Sequence, residues 1–413
     1  MFFIYTILYG LALFPLFPVE LRKRPVGQRA GWLREKFGLI EAAAGAVWVH
    51  AVSVGEVMAA VPFIEALNER GFKTLISTIT DTGRKVAREK FPEADVVYLP
   101  FDLPFALKRA IKRAKPLAFV LVETELWPNA IRLMDKSGVP VFMVNGRLSE
   151  KSTKGYRKIG FFLERVFAHM KAVCVQDETY ASRAEETGAD RSRIKVTGNF
   201  KFEIKPKGVP PVWVSSLGFF PTIVAGSTHR GEDAPIIRAV KDLKGHFPSI
   251  RLVIAPRHPE RASEVEETAL AHGLSFIRSS ELAKKDPSGK TVLPDIVIVD
   301  TVGELFHIYS AADVAVVGGS FIPHGGQNPL EPAYWGKAVV TGVHMNNFPF
   351  MDGLLKEGGA LSVKEDALYE TLLDLLSDER RRTEMGKKAR GFYQKKGGAV
   401  TETVKILEGF LSK

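Results

Sequence analysis

Short apolar runs alternate with helical patterns along most of this chain, and this alternation limits the folds that it can adopt. After Gly45 the runs are VWVHAVS, TLISTIT, DVVYLP, LAFVLVETE, PVFMVNG and AVCVQD. The segments between them carry apolar residues three or four positions apart, as in Val57, Val61 and Ile64. Strands that are apolar throughout and alternate with helices predict a mostly parallel sheet that is covered on both faces.

A second series of the same kind follows: TIVAGST, RLVIAPRH, LSFIR, DIVIVD, VAVVGGS and KAVVTG. With 413 residues, of which 46% are apolar, the chain is long enough for two α/β domains. The sequence therefore predicts two doubly wound, Rossmann-like sheets that face a cleft, with ligands at the carboxyl ends of the strands. We expect a first domain over 21–205, a proline-rich linker over 206–220, a second domain over 221–399, and a helix over 400–413 that can cross back to the first domain.

The chain begins with an uncharged apolar segment that runs from Met1 to Val19 and leads into a basic cluster. A cleavable signal peptide has the opposite order, with its positive charges first. Residues 1–20 are therefore predicted to anchor the chain in a membrane, either shallowly or as a single span, although a helix packed on a soluble core stays possible. The cluster consists of Arg22, Lys23, Arg24, Arg29, Arg34 and Lys36.

Basic residues directly after an apolar segment favour a cytoplasmic location for the following chain and attract anionic lipid head groups. The net charge of +10 is concentrated beside this segment and does not form repeats interleaved with aromatic residues. We therefore expect an anionic membrane surface as a partner, and no nucleic acid.

Several kinds of chemistry lack their usual sequence signals. No Gly-x-Gly-x-x-Gly follows the first strand and no Walker sequence occurs, which argues against a dinucleotide dehydrogenase and a Walker-type nucleotidase. His-Glu-x-x-His, Cys-x-x-Cys and Asp-x-Asp spacings are also missing, so neither a metal nor another cofactor is expected. The single cysteine, Cys174, lies in an apolar run and is predicted to be a buried thiol.

The stretch VVGGSFIPHGGQNPLEPA carries four glycines between a strand and a helix. Gly318 and Gly319 are placed where the strand ends in a tight turn. Gly325 and Gly326 are expected to let the backbone approach a ligand closely, because they have no Cβ. The stretch therefore predicts part of a ligand site.

Asn328 is expected to cap the helix that follows, with Pro329 in its first position. The start of this helix would favour a phosphate, and Glu331 could accept hydrogen bonds from a ribose diol. The same spacing also fits a capping box in which Asn328 and Glu331 bond to each other without a ligand. Both interpretations stay open at this point, although a cap requires none of the four glycines.

Other polar residues follow predicted strands and are candidates for the cleft. Ser53 and Glu56 have capping-box spacing, so Glu56 is expected to be structural. Two carboxylates on one strand face repel each other and raise a pKa unless something binds them, and a guanidinium at a strand end suits a phosphate. The candidates for ligand binding are Ser53, Gly55, Glu123, Glu125, Asn129, Lys201, Arg257 and His258.

Five segments, HAVSVGEV, ETELWPN, GNFKF, PRHPER and GGSFIPHGGQNPLEPA, follow an apolar N-terminus in this order. In this order and spacing they resemble the Kdo (3-deoxy-D-manno-octulosonic acid) transferases of Gram-negative lipopolysaccharide synthesis, over essentially the whole chain. The resemblance implies the two-domain architecture called GT-B. It also implies inverting, metal-independent transfer of Kdo from CMP-Kdo, which is a donor substrate and not a cofactor, to a lipid A precursor.

The resemblance also assigns roles to residues. The family's proposed base is a glutamate in an Arg/Gly-Glu-Arg/Lys-aromatic-Gly motif, which here is REKFG and contains Glu35. The departing phosphate would lie at the Asn328 helix start, with Arg257 and Lys201 as cations for it or for the carboxylate of the donor sugar, and Glu331 on the ribose.

The implied location is the cytoplasmic face of the inner membrane, and no obligate protein partner is expected. Two alternatives stay open: a membrane-associated GT-B transferase for another nucleotide sugar, and a non-catalytic protein that binds lipid or nucleotide. A donor screen would separate the two transferases, because only the Kdo enzyme requires a CMP sugar that carries a carboxylate.

Overall fold

The computed structural model describes residues 1–285 and 293–411, and within these residues the strands form two parallel sheets of seven. The strands of the first sheet are β1 (Val47–His50), β2 (Thr74–Thr78), β3 (Asp95–Tyr98), β4 (Ala118–Val122), β5 (Val141–Gly146), β6 (Ala172–Val175) and β7 (Ile194–Val196). Their order across the sheet is β3-β2-β1-β4-β5-β6-β7. Cys174 is buried in β6, as predicted.

The second sheet repeats this doubly wound pattern. Its strands are β8 (Thr222–Thr228), β9 (Arg251–Pro256), β10 (Phe276–Arg278), β11 (Ile296–Ile298), β12 (Val314–Val317), β13 (Ala338–Thr341) and β14 (Ala360–Ser362). Their order is β10-β11-β9-β8-β12-β13-β14. The prediction of two Rossmann-like sheets is confirmed, while the predicted cleft stays a prediction.

Helices cover both sheets. They are α1 (Phe2–Arg22), α2 (Val26–Lys36), α3 (Val54–Glu69), α4 (Asp81–Lys90), α5 (Pro104–Ala114), α6 (Pro128–Lys136), α7 (Glu150–Arg157), α8 (Gly160–Phe167), α9 (Glu178–Glu186), α10 (Asp233–Leu243), α11 (Ala262–Ala271), α12 (Ser279–Lys285), α13 (Leu305–Ile308), α14 (Leu330–Tyr334), α15 (Met351–Lys356), α16 (Leu368–Ser377), α17 (Glu379–Lys395) and α18 (Ala399–Leu411). Several begin at a side-chain cap directly after a strand, as Thr80 shows by accepting from the N–H of Gly83 at 3.1 Å.

The described chain divides into two compact units. Unit 1 contains residues 1–204 and the C-terminal residues from Lys396 on, and unit 2 contains Lys205–Lys395. Helix α18 belongs to unit 1, where Val400 and Leu407 are buried in the same cluster as Val57 of α3.

The expected linker is in part a packed element of unit 2. A 3-10 helix spans Val212–Phe219, and its Trp213 and Leu217 are buried against apolar residues of β8 and β9. The prolines of this segment predicted a connection between domains, but its apolar residues, spaced three or four positions apart, make it part of the core.

The predicted N-terminal apolar helix is present as α1. By length and composition it is the one helix among the described residues that could cross a membrane. It lies along the rest of unit 1, which it contacts through a half-buried stripe, while its other side is exposed. The stripe consists of Phe2, Tyr5, Tyr9, Leu13, Phe17 and Leu21.

Candidate active site

Glu35, the predicted base, lies on α2 and is held from two sides. Arg84 on α4 donates from Nη2 to Glu35 Oε1 at 2.6 Å, and the backbone N–H of Tyr98 on β3 donates to Oε2 at 2.7 Å. These bonds fix the orientation of the half-buried carboxylate and leave lone pairs on both oxygens.

Glu35 lines two surface depressions of about 640 Å³ each. Both depressions are also lined by Gly31, Arg84 and Arg88. Arg84 and Arg88 therefore give both depressions cations, beside the acids Glu41 and Asp95 of one and Asp81 and Glu89 of the other.

Lys36, which follows Glu35, is not the exposed cation that its place in the basic cluster suggested. It is buried, and its Nζ donates to the backbone oxygen of Leu99 at 2.8 Å. Its Nζ lies 5.5 to 6.0 Å from the ring centroids of Trp32, Tyr98 and Phe101. Burial lowers the pKa of Lys36 to about 7. The residue therefore fixes α2 against the chain that leaves β3.

Ser53 and Glu56 are bonded to each other at the start of α3, but they do not form the capping box that their spacing suggested, because the Ser53 side chain accepts no N–H of the first turn. Ser53 Oγ donates to Glu56 Oε1 at 3.3 Å, and the backbone N–H of Val52 donates to Oε2 at 2.7 Å. Burial raises the pKa of Glu56 to about 7, and the charges of the two carboxylates that follow β4 add to this effect. Glu56 is therefore structural, as expected, and also belongs to a group of acids, beside the exposed Gly55.

The carboxylates of Glu123 and Glu125 lie just beyond β4, which ends at Val122. Glu123 has a φ of +61°, a backbone conformation that residues other than glycine seldom adopt and that is frequent at functional sites. Burial raises the pKa of both carboxyls, and the charge of Glu123 raises that of Glu125 further. The predicted repulsion is present, but it arises in a loop and not on one face of a strand.

Lys201 lies after β7, in a 3-10 helix over Phe200–Glu203. Burial lowers its pKa, an effect that Glu123 opposes and Arg147 reinforces. The three carboxylates, Arg147 and Lys201 are thus within electrostatic range at the carboxyl ends of β1, β4, β5 and β7. This edge of the first sheet is where the ligands of such sheets bind.

The expectation for Asn129 is wrong, because its side chain is fully buried and bonded inside unit 1. Asn129 Nδ2 donates to the backbone oxygen of Asp102 and to Thr6 Oγ1, each at 2.8 Å. The segment ETELWPN could not predict these bonds, because Thr6 lies on α1, far from Asn129 in the sequence. Asn129 holds α1 and the loop that precedes α5.

In unit 2 the glycines that follow β12 form a closed turn. The N–H of Gly326 donates to the oxygen of Gly319 at 2.7 Å, and the N–H of Gln327 donates to the oxygen of Gly318 at 3.0 Å. Gly319, Gly325 and Gly326 all have positive φ angles. The turn therefore requires glycine for its backbone conformation alone.

The expected reason for Gly325 and Gly326 needs correction. A Cβ on Gly325 would lie 2.5 Å from the side chain of Asn347, and one on Gly326 would lie 2.3 Å from the sulfur of Met345. The missing side chains thus make room for the protein's own chain, and contact of these glycines with a ligand stays a prediction.

Glu232 holds this turn, and sequence reasoning did not single it out. Its buried carboxylate accepts four backbone N–H bonds. They come from Gly319 and His229 to Oε2 at 2.7 and 2.9 Å, and from Ser320 and Phe321 to Oε1 at 3.0 and 2.9 Å. One side chain therefore joins the ends of β8 and β12.

Asn328 and Glu331 have the closed arrangement that the sequence had left open. Asn328 Oδ1 accepts from the N–H of Leu330 at 3.1 Å, and its Nδ2 donates to Glu331 Oε1 at 3.3 Å. Helix α14 begins at Leu330, so Pro329 precedes it and is not its first residue. Burial raises the pKa of Glu331 to about 7, and the bond from Asn328 opposes this.

Arg257 and His258 are exposed directly after β9, as predicted for a strand end. The ring centroid of His229, after β8, lies 6.2 Å from that of His258 and 4.0 Å from that of His324. Burial lowers the pKa of His229 to about 4, and the two other histidines contribute. His229 and His258 line a depression of about 420 Å³. Cationic and neutral donors thus gather at the carboxyl edge of the second sheet.

The described part of the chain contains no group of three His, Cys, Asp or Glu side chains that could hold a metal ion. The expectation that no metal is needed stays a prediction.

Arg84, His229 and Glu232 are the site residues that sequence reasoning missed. Each lies within a few positions of a strand end, in TITDTGR after β2 and STHRGED after β8. A search of every loop at a strand's carboxyl end, and not only of the glycine-rich one, would have found them.

Comparison with known proteins agrees with this architecture. A family model described as 3-Deoxy-D-manno-octulosonic-acid transferase (kdotransferase) matches residues 28–204. A 3-deoxy-D-manno-octulosonic acid transferase of Bordetella pertussis is 35% identical over 430 aligned positions, which cover 99% of both chains. One of Haemophilus influenzae is 32% identical over 378 residues, covering 89% of this chain and 87% of that protein.

A solved structure supports the fold assignment. The crystal structure of a glycosyltransferase from Rickettsia africae matches with a TM-score of 0.54 and 14% sequence identity. The match covers 89% of this chain and 99% of that one. At this identity the likeness concerns the fold alone, which is the GT-B type with two Rossmann-like domains.

Proposed function

Because this chain belongs to the family of 3-deoxy-D-manno-octulosonic acid (Kdo) transferases, we propose that it transfers Kdo from CMP-Kdo to a lipid A precursor with inversion and without a metal. The observation that carries this proposal is the position of Glu35. Its carboxylate is oriented by Arg84 and by a backbone N–H, and it borders two depressions that are also lined by arginines.

The proposed reaction is a single displacement. A hydroxyl oxygen of the acceptor attacks the anomeric carbon of Kdo while its proton passes to the Glu35 carboxylate. The bond between that carbon and the phosphate oxygen breaks, and its electron pair leaves with CMP. Attack on the face opposite to the leaving group gives inversion.

The donor is proposed to bind to unit 2. Arg257 at the end of β9 is exposed and suits a phosphate, and the neighbouring His229 and His258 add hydrogen-bond donors. The carboxylate of Glu331 would accept hydrogen bonds from the ribose diol. Because Asn328 already bonds to Glu331 and Leu330, its proposed contribution to the phosphate site is carried by its backbone and not by its side chain.

The acceptor is proposed to reach Glu35 from a membrane surface. The exposed side of α1 carries large apolar residues, among them Phe3, Leu11 and Phe14, which are 76%, 66% and 83% exposed. Arg22 and Lys23 at the end of the same helix are also exposed. An apolar face next to cations suits the interface of an anionic leaflet, which supports binding to the cytoplasmic face of the inner membrane.

The test is a transfer assay with the purified full chain, CMP-Kdo and a tetraacylated lipid A precursor, with the products resolved by mass. We expect Glu35→Gln to lower turnover by about 10²-fold or more, because an amide oxygen accepts protons far less readily than a carboxylate. CMP binding, measured by calorimetry, should be unchanged, because Glu35 does not lie among the donor residues.

Glu69→Gln is the matched control, since this exposed glutamate ends α3 in the same unit. It should transfer Kdo at the rate of the unaltered chain. Near-normal turnover of Glu35→Gln would remove Glu35 from the role of base, and transfer from UDP sugars but not from CMP-Kdo would overturn the proposed donor.

A further inference from the structure

Helix α1 has two different long faces. Phe2, Tyr5, Tyr9, Leu13 and Phe17 follow each other at intervals of three or four residues and contact unit 1. The rest of the helix is largely exposed. Such a helix can meet a bilayer in two ways, lying in the interface plane or crossing the bilayer, and its length and apolar composition allow both.

Polar bonds, and not only apolar contact, hold the contacting face. Tyr5 Oη donates to Asp102 Oδ2 at 2.8 Å, and Asn129 Nδ2 donates to Thr6 Oγ1 at 2.8 Å. Apolar contact alone is non-directional and would tolerate a helix that slides or rotates. Two adjacent hydrogen bonds to buried groups fix both the position of α1 along its axis and its rotation about that axis, because hydrogen bonds depend on distance and angle.

The partners of α1 in these bonds, the acceptor Asp102 and the donor Asn129, are also bonded to each other and to the chain around them. The carboxylate of Asp102, 1% exposed, also accepts from the N–H groups of Asn129 and Ala130 at 3.0 and 2.7 Å. Asn129 Nδ2 also donates to the backbone oxygen of Asp102 at 2.8 Å. Asp102 and Asn129 thus keep partners of their own when α1 is not bound to them.

The C-terminal end of α1 is fixed as well, and it precedes α2, the helix that carries the proposed base Glu35. Arg24, which joins α1 to α2, is 6% exposed, and its guanidinium lies 4.3 Å from the ring centroid of Trp32. It pairs with Glu20 on α1 and with Asp81 at the start of α4. Glu35 follows on α2. Both ends of α1 are therefore tied to unit 1, and one of them to the element that carries Glu35.

We infer that Tyr5, Thr6, Asp102 and Asn129 form a polar latch that keeps α1 in the membrane plane, where it would otherwise be free to cross the bilayer. The latch then fixes the depth at which unit 1 rests on the lipid, and with it the height of Glu35 above the acceptor. Both statements rest on the proposed binding to a membrane, and the second rests also on the proposed reaction.

The test uses the variant Tyr5→Phe/Thr6→Val, which removes the two hydroxyls from α1 and leaves Asp102 and Asn129 their bonds within unit 1. The loss of two hydrogen bonds should shift the ratio of docked to released α1 by about tenfold. Turnover on acceptor in vesicles should fall, while turnover on acceptor in detergent micelles should stay unchanged, because micelles impose no fixed height. The matched control is Tyr180→Phe on α9, another half-buried tyrosine of unit 1.

A second measurement follows the helix itself. Cys174 is the single cysteine and is buried, so that a cysteine introduced as Phe3→Cys can carry an NBD dye. On anionic vesicles the dye should be reduced by external dithionite in the otherwise unaltered chain. In the variant that also carries Tyr5→Phe/Thr6→Val, a fraction of the dye should become protected from dithionite, as expected if α1 crosses the bilayer and places its N-terminus inside the vesicle.

The outcomes separate the two proposals. Equal loss of turnover in vesicles and micelles, or the same dithionite reduction with and without the latch hydroxyls, would overturn the latch. Absence of Kdo transfer by the unaltered chain in both systems would refute the proposed function, while the dye measurement would still decide the position of α1.

Discussion

Glu331 is a residue whose charge is expected to change within the pH range of an enzyme assay. Burial raises the pKa of its carboxyl to about 7, so it is ionised above that pH and neutral below it. Only the ionised form accepts hydrogen bonds from a diol with both oxygens. CMP affinity should therefore fall about tenfold between pH 8 and pH 6, in proportion to the ionised fraction.

Calorimetric titration of CMP at several pH values measures this effect. Glu331→Gln should bind CMP more weakly at pH 8 and keep only the smaller change with pH that comes from the phosphate of CMP itself, whose second pKa is about 6. Glu370→Gln, an exposed glutamate of α16, should keep the full pH dependence. If the CMP affinity of Glu331→Gln changes with pH as much as that of the unaltered chain, another group titrates and Glu331 does not bind the ribose.

Single residues were the hardest features to predict from the sequence. Asn129 was a candidate for the cleft because it follows a predicted strand, and Lys36 was counted in the basic cluster that follows the apolar segment. Their partners, Asp102 and the carbonyl group of Leu99, come from distant segments that only the fold brings near. The bond between Ser53 and Glu56, by contrast, is local, and their spacing predicted that the two side chains would meet, although not in a capping box.

Elements were predicted far better than residues. The twelve apolar runs all correspond to strands, because a strand covered on both faces is apolar throughout. Strands β7 and β14, of three residues each, lie at sheet edges and were not singled out. The glycine turn was located correctly, but its cause was not visible, since Asn347, Met345 and Glu232 lie outside its segment.

The connection between β8 and β12 depends on Glu232. Glu232→Gln would replace one carboxylate oxygen by an NH₂ group that faces two backbone N–H donors. Leaving these donors without an acceptor costs roughly 2 to 4 kcal/mol of stability in unit 2. We expect a lower unfolding temperature and weaker CMP binding, because His229 and the glycine turn are both held by this side chain.

Thermal unfolding followed with and without CMP tests this expectation, with Glu370→Gln again as the exposed control. Turnover limited by donor affinity should recover at high CMP-Kdo concentration, because Glu232 positions the loops without touching the donor. If stability falls while CMP affinity stays the same, the turn does not belong to the nucleotide site.

At the scale of the whole molecule, the two units are built differently. Unit 2 is one continuous segment with apolar clusters on both faces of its sheet. Unit 1 is discontinuous, because α18 returns from the C-terminus to complete its core. The sequence predicts a helix over 400–413 that can cross back to the first domain, and α18 spans Ala399–Leu411.

This difference predicts how fragments of the chain should behave. Residues 205–395 should fold alone, and CMP at 100 times its Kd should stabilise that fragment by about 2.7 kcal/mol. Residues 1–204 should fold poorly even in detergent, because they lack Val400, Val404 and Leu407 of α18. Burial of three such side chains contributes roughly 5 to 9 kcal/mol, which is comparable to the stability of a whole domain.

Adding residues 396–413 as a separate peptide should restore cooperative unfolding to the fragment 1–204, since the backbone N–H of Val400 donates to Glu203 and fixes the register of the helix. A peptide with Val404→Asp should fail to do so, because it would bury a charge without a partner. Circular dichroism melts of the fragment with each peptide measure the effect. Cooperative melting of residues 1–204 alone would contradict this account, since it would mean that the first sheet needs no cover from the C-terminal helix.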